Sequence, residues 1–185
     1  MKTPNYSKYY WQNDLVRLRA GKSEDWEECY FDRFDSEAQF FLECEMELPT
    51  TEAHDQEMFS THQNDSKNIG FVIETLSGEV IGGIGLDNIN DRNGRFSISM
   101  RINYDFRGKG YGTAAMKLLL DYAFNERRLH KFNAALVEGN VASETMLKKL
   151  GCVKEGLRRE VFYHQGKYWN ELYYGLTDSE FNINS

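Results

Sequence analysis

Residues Arg95–Ile102 alternate without a break, with Phe96, Ile98, Met100 and Ile102 on one side and Arg95, Ser97, Ser99 and Arg101 on the other. Period two over such a run specifies a strand with one apolar face. Shortly after it comes Arg107-Gly108-Lys109-Gly110-Tyr111-Gly112, and then a helical run to about Arg127 with Ala115, Leu118, Leu119 and Tyr122 on one face. Three glycines at alternate positions strip side chains from a turn that enters a helix N-terminus. Backbone N–H groups there lack intrahelical acceptors, and the helix dipole adds partial positive charge. Such a turn is either a tight structural connection or a cradle for a pyrophosphate, with Arg107 and Lys109 adding cationic charge. No GxxxxGK[ST] run occurs, which excludes a P-loop. The GxGxG spacing does not follow a βαβ unit, which excludes the dinucleotide fingerprint.

The rest of the chain supplies the frame for this unit. Asp14–Ala20 reads as a first strand. A helix follows from Ser23 to about Arg33, and a second begins near Ser36 and stops before Pro49. Residues 50–68 are polar and read as a loop or loose helix, where mobility is expected. Phe71-Val72-Ile73 and Val80–Leu86 are strands separated by the turn Leu76-Ser77-Gly78-Glu79. With Arg95–Ile102 and the turn Asp91–Gly94 they make an antiparallel meander. Phe132–Val137 is a short strand, and Asn140–Leu150 is a helix closed by Gly151. Val153–Tyr163 and Tyr168–Leu176 form a hairpin around His164-Gln165-Gly166-Lys167. The order β-α-α-β-β-β-α-β-α-β-β specifies a single α+β domain, and 185 residues suffice for one good core.

Charge is unevenly placed. Residues 24–57 carry 13 acidic side chains against Arg33 alone, a net of −12; the remainder carries 16 acidic and 21 basic groups, a net of +5. The acidic third is either a pair of solvated helix faces or a surface that attracts a cationic substrate. It argues against nucleic acid as a partner, which requires a concentrated basic face. No apolar stretch reaches the length of a membrane span, and Met1–Tyr10 has no apolar core of a secretory signal. Three cysteines, Cys29, Cys44 and Cys152, without CxxC spacing predict neither a disulfide framework nor a cysteine metal site, and fit a reducing cytoplasm. His54 and His62 lack a third partner of metal spacing, so no metal is expected.

The loop Arg107–Gly112 resembles the [QR]-x-x-G-x-[GA] signature of the GNAT superfamily of N-acetyltransferases. Leu129-His130-Lys131, Glu138-Gly139-Asn140-Val141-Ala142-Ser143 and Leu150-Gly151 resemble the next strand and helix of that family. The terminal run Gly166-Lys167-Tyr168 with Tyr173-Tyr174-Gly175-Leu176 is similar to the branch containing ribosomal-protein N-terminal acetyltransferases, and also to bacterial polyamine acetyltransferases. The likeness in element order covers residues 14–177 and is sharp from Arg95 onward. It implies one GNAT-like domain with a mixed, mostly antiparallel, splayed sheet flanked by helices, and acetyl-CoA as the acyl donor. It further implies that Gly108, Lys109, Gly110, Tyr111 and Gly112, with Arg107, hold the CoA pyrophosphate. Main chain around Met100–Ile102 would pair with the pantetheine arm, and Asn140 would hydrogen-bond it. With the aromatic C-terminal hairpin, the resemblance also suggests a homodimer.

Acetyl transfer to an amine needs a deprotonated acceptor, a stabilised oxyanion and a proton donor for the departing thiolate. Many family members carry a tyrosine donor seven residues after the asparagine; here that position is Leu147. The ribosomal-protein branch places a serine three residues after it, which nominates Ser143 as donor, against its alternative as a first-turn helix residue. Glu160 is the candidate base through water, against a salt bridge with Arg158 or Arg159; Glu138 is a second candidate. His130, at a strand entry, reads as structural. Tyr163, Tyr168 and Tyr173 either line the acceptor cleft or simply pack. The leading expectation is an acetyl-CoA-dependent N-acetyltransferase acting by direct attack in a ternary complex on a protein or peptide N-terminal amine. A small cationic amine, such as a polyamine or aminoglycoside, is the alternative acceptor. Leu147 keeps open a third reading, an acyl-CoA-binding module with little or no turnover.

Overall fold

The computed structural model describes residues 4–61 and 67–183. Its frame is one sheet of seven strands in the order β1-β2-β3-β4-β5-β7-β6. Strand β1 (Val16–Arg19) is followed by helices α1 (Trp26–Asp32), α2 (Ser36–Glu43) and α3 (Glu52–Thr61). The meander β2 (Ile69–Thr75), β3 (Val80–Asn90) and β4 (Arg95–Ile102) comes next. Helix α4 (Tyr111–Asp121) leads into β5 (Lys131–Val137), then α5 (Val141–Lys149), β6 (Val153–His164), β7 (Lys167–Thr177) and α6 (Asp178–Ile183). All strand pairings are antiparallel except β4 with β5. The expected element order is present, with α3 in the polar stretch and α6 added at the end. His62 lies outside the described residues.

Alternation explains why each strand lies where it does. Val16 and Leu18 of β1 and Ile73 of β2 are fully buried, as are Ala115, Leu119 and Leu120 of α4, which cover the sheet on one side. Phe96 and Phe132, the second residues of β4 and β5, meet in this core at 5.6 Å between ring centres. The polar face of β1 is closed by charge. Glu74 accepts from Arg17 at 2.5 Å and from Arg19 at 2.6 Å, and Arg19 grips Asp25 with two bonds of 2.7 and 2.8 Å.

The pairing of β4 with β5 positions the site. It is parallel and covers only Arg95↔Lys131 and Phe96↔Phe132. Gly94 carbonyl oxygen pins the closed end by accepting from both His130 N at 2.7 Å and Lys131 N at 2.8 Å. Beyond Phe96, β4 pairs only with β3, and beyond Phe132, β5 pairs only with β7. The sheet therefore splays open toward the C-terminal ends of β4 and β5, where the glycine-rich loop and the start of α5 lie.

Candidate active site

On the first side of the opening stands the loop between β4 and α4. Gly108 and Gly110 have φ of +73° and +88°, a left-handed conformation that any Cβ would strain. Gly110 ends the turn as the N-cap of α4, makes no side-chain cap and has no acidic residue in the following turn. The first intrahelical bond is Ala114 N to Gly110 O, at 3.0 Å. Tyr111, Gly112 and Thr113 thus present the orphan amides of the helix N-terminus. Gly112 lies so close to β4 that a Cβ would meet Met100 Cε at 3.0 Å. Positive amides, left-handed glycines and missing side chains together fit a pyrophosphate.

The cations of the loop are partly engaged elsewhere. Lys109 Nζ lies 5.2 Å from the centre of the Phe106 ring. Arg107 directs Nε to Ile102 O at 2.8 Å and Nη1 to Asp35 Oδ2 at 2.5 Å. Asp35 is the N-cap of α2, where its Oδ1 accepts Ala38 N–H at 3.0 Å. Burial raises the Asp35 carboxyl, but the Ala38 amide and the Arg107 guanidinium outweigh it and hold the group below the usual carboxylate range.

On the second side, β5 ends at Val137 and α5 begins after Asn140. Asn140 Oδ1 accepts Ser143 N–H at 3.1 Å, so the expected pantetheine ligand is also the cap of α5, and its Nδ2 is left as the donor. Ser143 is half-buried in the first turn. Leu147, seven residues after Asn140, is 3% exposed and part of the core.

Glu160 sits on β6 in a left-handed conformation, φ 55°, inside an irregularity of the β6–β7 ladder between Arg158 and Phe162. Its amide donates to Asn170 Oδ1 at 2.9 Å, and Asn170 Nδ2 donates to Glu138 Oε2 at 2.7 Å. Asn170 thereby brings the two candidate bases to the exit of β5. A cleft of about 890 Å³ is lined there by Arg158, Arg159, Glu160, Val161 and Asn170. Arg158 pairs with Glu171 at 3.0 Å and Tyr173 Oη at 2.7 Å rather than with Glu160. Tyr163 and Tyr168 form an exposed edge-to-face pair at the hairpin end. His130 is bound to Asp178 at 3.0 Å at the closed end of the opening. Among the described residues, no group of three or more His, Cys, Asp or Glu is placed to hold a metal ion, and no helix is long and apolar enough to cross a membrane.

Several residues here are not legible in the sequence as parts of the site, among them Asp35, Asn170 and Glu171. Asp35 carried a signal, since it precedes a predicted helix start at Ser36. Glu171 carried none, because its pairing with Arg158 depends on the β6–β7 register.

A sheet parted between two parallel strands, with an uncapped helix N-terminus at the parting, is the arrangement that the resemblance to acyl-CoA-dependent acyltransferases implies. Residues 16–153 match the family model described as an acetyltransferase (GNAT) domain, and the chain belongs to that family of N-acetyltransferases. The structure is similar to that of spermidine N-acetyltransferase from Vibrio cholerae in complex with CoA and spermine. The TM-score is 0.82 at 23% identity, over 92% of this chain and 99% of that one. In sequence, the chain is 26% identical to the SPbeta prophage-derived uncharacterized N-acetyltransferase YokL of Bacillus subtilis, over 95% of this chain and 97% of YokL. It is 33% identical to the "Putative ribosomal N-acetyltransferase YdaF" of the same species, over 56% of each chain. GNAT enzymes use acetyl-CoA, and the first of these relatives was solved with CoA bound.

Proposed function

We propose that this enzyme transfers the acetyl group of acetyl-CoA to a primary amine of a small, multiply charged cation of the polyamine class. One observation carries the choice of acceptor: the acidic segment borders the opening. Asn103, just past β4, donates to Glu28 of α1 at 3.4 Å, and the α2 cap Asp35 is bound to Arg107. Glu27, Glu28, Glu37, Glu43 and Glu45 are exposed. The lone basic residue of the segment, Arg33, is already neutralised by Glu47 at 3.3 Å and Asp55 at 3.4 Å. A multiply charged amine is concentrated by such a field, and a neutral acceptor is not. The relative solved with spermine supports the same reading.

In this reading the amides after Gly110 hold the pyrophosphate, and the main chain of Met100–Ile102 pairs with the pantetheine arm. Asn140 donates to that arm, Ser143 protonates the departing thiolate, and Glu160 relays the proton of the acceptor through water. Replacing Ser143→Ala is expected to lower kcat by about 10²-fold while leaving the KM for acetyl-CoA nearly unchanged. An unchanged kcat removes Ser143 from the chemistry.

A protein N-terminal amine is the second reading, favoured by Ser143 and by the likeness to YdaF. The deciding experiment measures CoA release with spermidine, spermine and free-N-terminus peptides side by side. Turnover of the polyamines alone supports the proposal, and turnover of peptides alone overturns it. CoA binding without release across the panel would instead assign a binding module. For the assembly we retain a homodimer, since the edge strand β6 exposes Val153 and Leu157.

A further inference from the structure

Helix α2 touches both sides of the opening. On the first side, its cap Asp35 takes the Arg107 guanidinium at 2.5 Å. On the second side, Phe40 stacks on His164 of β6 with 3.9 Å between ring centres and 13° between planes, and lies 6.3 Å from the Trp169 ring of β7. Arg107 opens the glycine loop, and its Nε holds Ile102 O at the end of β4. One guanidinium therefore joins the cofactor loop, the last residue of the strand beside it and the first turn of α2. The side chains of Arg107 and Asp35 are 36% and 22% exposed, and a pair so accessible contributes little to global stability. What it supplies is direction, through short charge-assisted bonds of fixed geometry.

We infer that Asp35 and Arg107 are positioning residues that register α2, and with it the acidic border of the opening, against the cofactor loop, so that CoA binding and acceptor binding are coupled. The inference rests on the reading of Gly108–Gly112 as the CoA cradle. An anion held by the loop amides fixes the backbone from which Arg107 springs, and so fixes the place at which Asp35 is held. When the loop shifts, Arg107 moves with it, and the first turn of α2 loses its tie to the loop while Phe40 still stacks on His164. Coupling of this kind is reciprocal, so the amine tightens CoA by the same factor as CoA tightens the amine.

Asp35→Asn separates the two roles of the residue. Asparagine caps a helix as well as aspartate does, so the bond to Ala38 is retained while the charge facing Arg107 is lost. Calorimetry gives the affinities of the full chain for CoA and spermidine, each alone and with the other present. A second readout is the alkylation rate of Cys44, the half-buried residue that ends α2 in a left-handed conformation. Alkaline pH is required, because burial raises the Cys44 thiol, with Glu171, Glu43 and Glu45 adding to it. Cys152, buried and pushed up to about 12 by that burial, serves as the internal reference for global opening.

In the native chain, CoA is expected to tighten spermidine about tenfold and to slow Cys44 alkylation by a similar factor. Asp35→Asn is expected to bind CoA within about twofold of native and to show neither effect. Retention of both effects in the variant overturns the inference. So does a loss of CoA affinity as large as the loss of spermidine affinity, which would make the pair a mere prop of the loop. A native chain that binds no CoA overturns the cradle reading and the inference with it. A native chain that binds CoA but not spermidine overturns only the acceptor reading, and the Cys44 rates then decide the coupling.

Discussion

Glu74 shows how much depends on single side chains away from the site. It is 5% exposed and accepts from two arginines, one of which also holds Asp25. Burial raises the Glu74 and Asp25 carboxyls, but the guanidiniums outweigh it and hold both below their usual range. Folded-state values below the unfolded ones mean that this stabilisation is complete at neutral pH and is lost as pH falls through the depressed values. Glu74→Gln leaves the buried Arg17 and the partly buried Arg19 undercompensated and is expected to cost about 3–5 kcal/mol, read as a lower urea midpoint at pH 7 and a smaller difference at acid pH, below the depressed Glu74 range. An equal loss at both pH values would contradict the ionic account. At this scale the sequence was partly legible. Asn140 as the cap of α5 and Ser143 in its first turn are legible because they lie three residues apart at a helix start, whereas their roles toward acetyl-CoA rest on the family resemblance. The Arg107–Asp35 pair is not legible, because 72 residues separate partners that only the fold brings together.

Elements were legible where local chemistry decided them. The strict alternation of 95–102 placed β4, and Gly151 ends α5 in a Schellman motif, with Cys152 N bound to Leu147 O and Gly151 N to Lys148 O. Helix α3 is ambiguous in the sequence because residues 52–61 have no apolar face of helical period. Helix α6 was missed despite a capping box: Glu180 Oε2 accepts Thr177 N at 2.8 Å and Thr177 Oγ1 accepts Glu180 N at 3.4 Å. Strand β3 runs past its expected end at Leu86 to Asn90, across an irregularity at Asn88, φ 52°. In β3, Gly82 has φ +150°, and a Cβ there would overlap the carbonyl of Arg101 in the neighbouring strand. Gly82→Ala is expected to part β3 from the end of β4 and to lower stability by about 3 kcal/mol or more, measured by thermal unfolding. A change below 1 kcal/mol would mean that the strands separate there without penalty.

For the molecule as a whole, the net charge of −7 conceals an acidic border on the opening and a mildly basic remainder. If that border recruits the acceptor by its field, kcat/KM for spermidine falls as ionic strength rises, and the KM for acetyl-CoA changes far less. A salt-independent kcat/KM would assign recruitment to short contacts alone. The splay itself is invisible in any one segment, since it arises because β4 and β5 share only two residue pairs. Strands β1 and β2 are antiparallel neighbours, paired from Val16↔Thr75 to Arg19↔Val72, an arrangement a two-residue turn is enough to close. Residues 20–68 stand in place of that turn, and they include the whole acidic face. On the proposed reading, the part that chooses the acceptor is thus a cassette spliced into a hairpin, exchangeable for another without redesigning the half that would carry the acetyl donor.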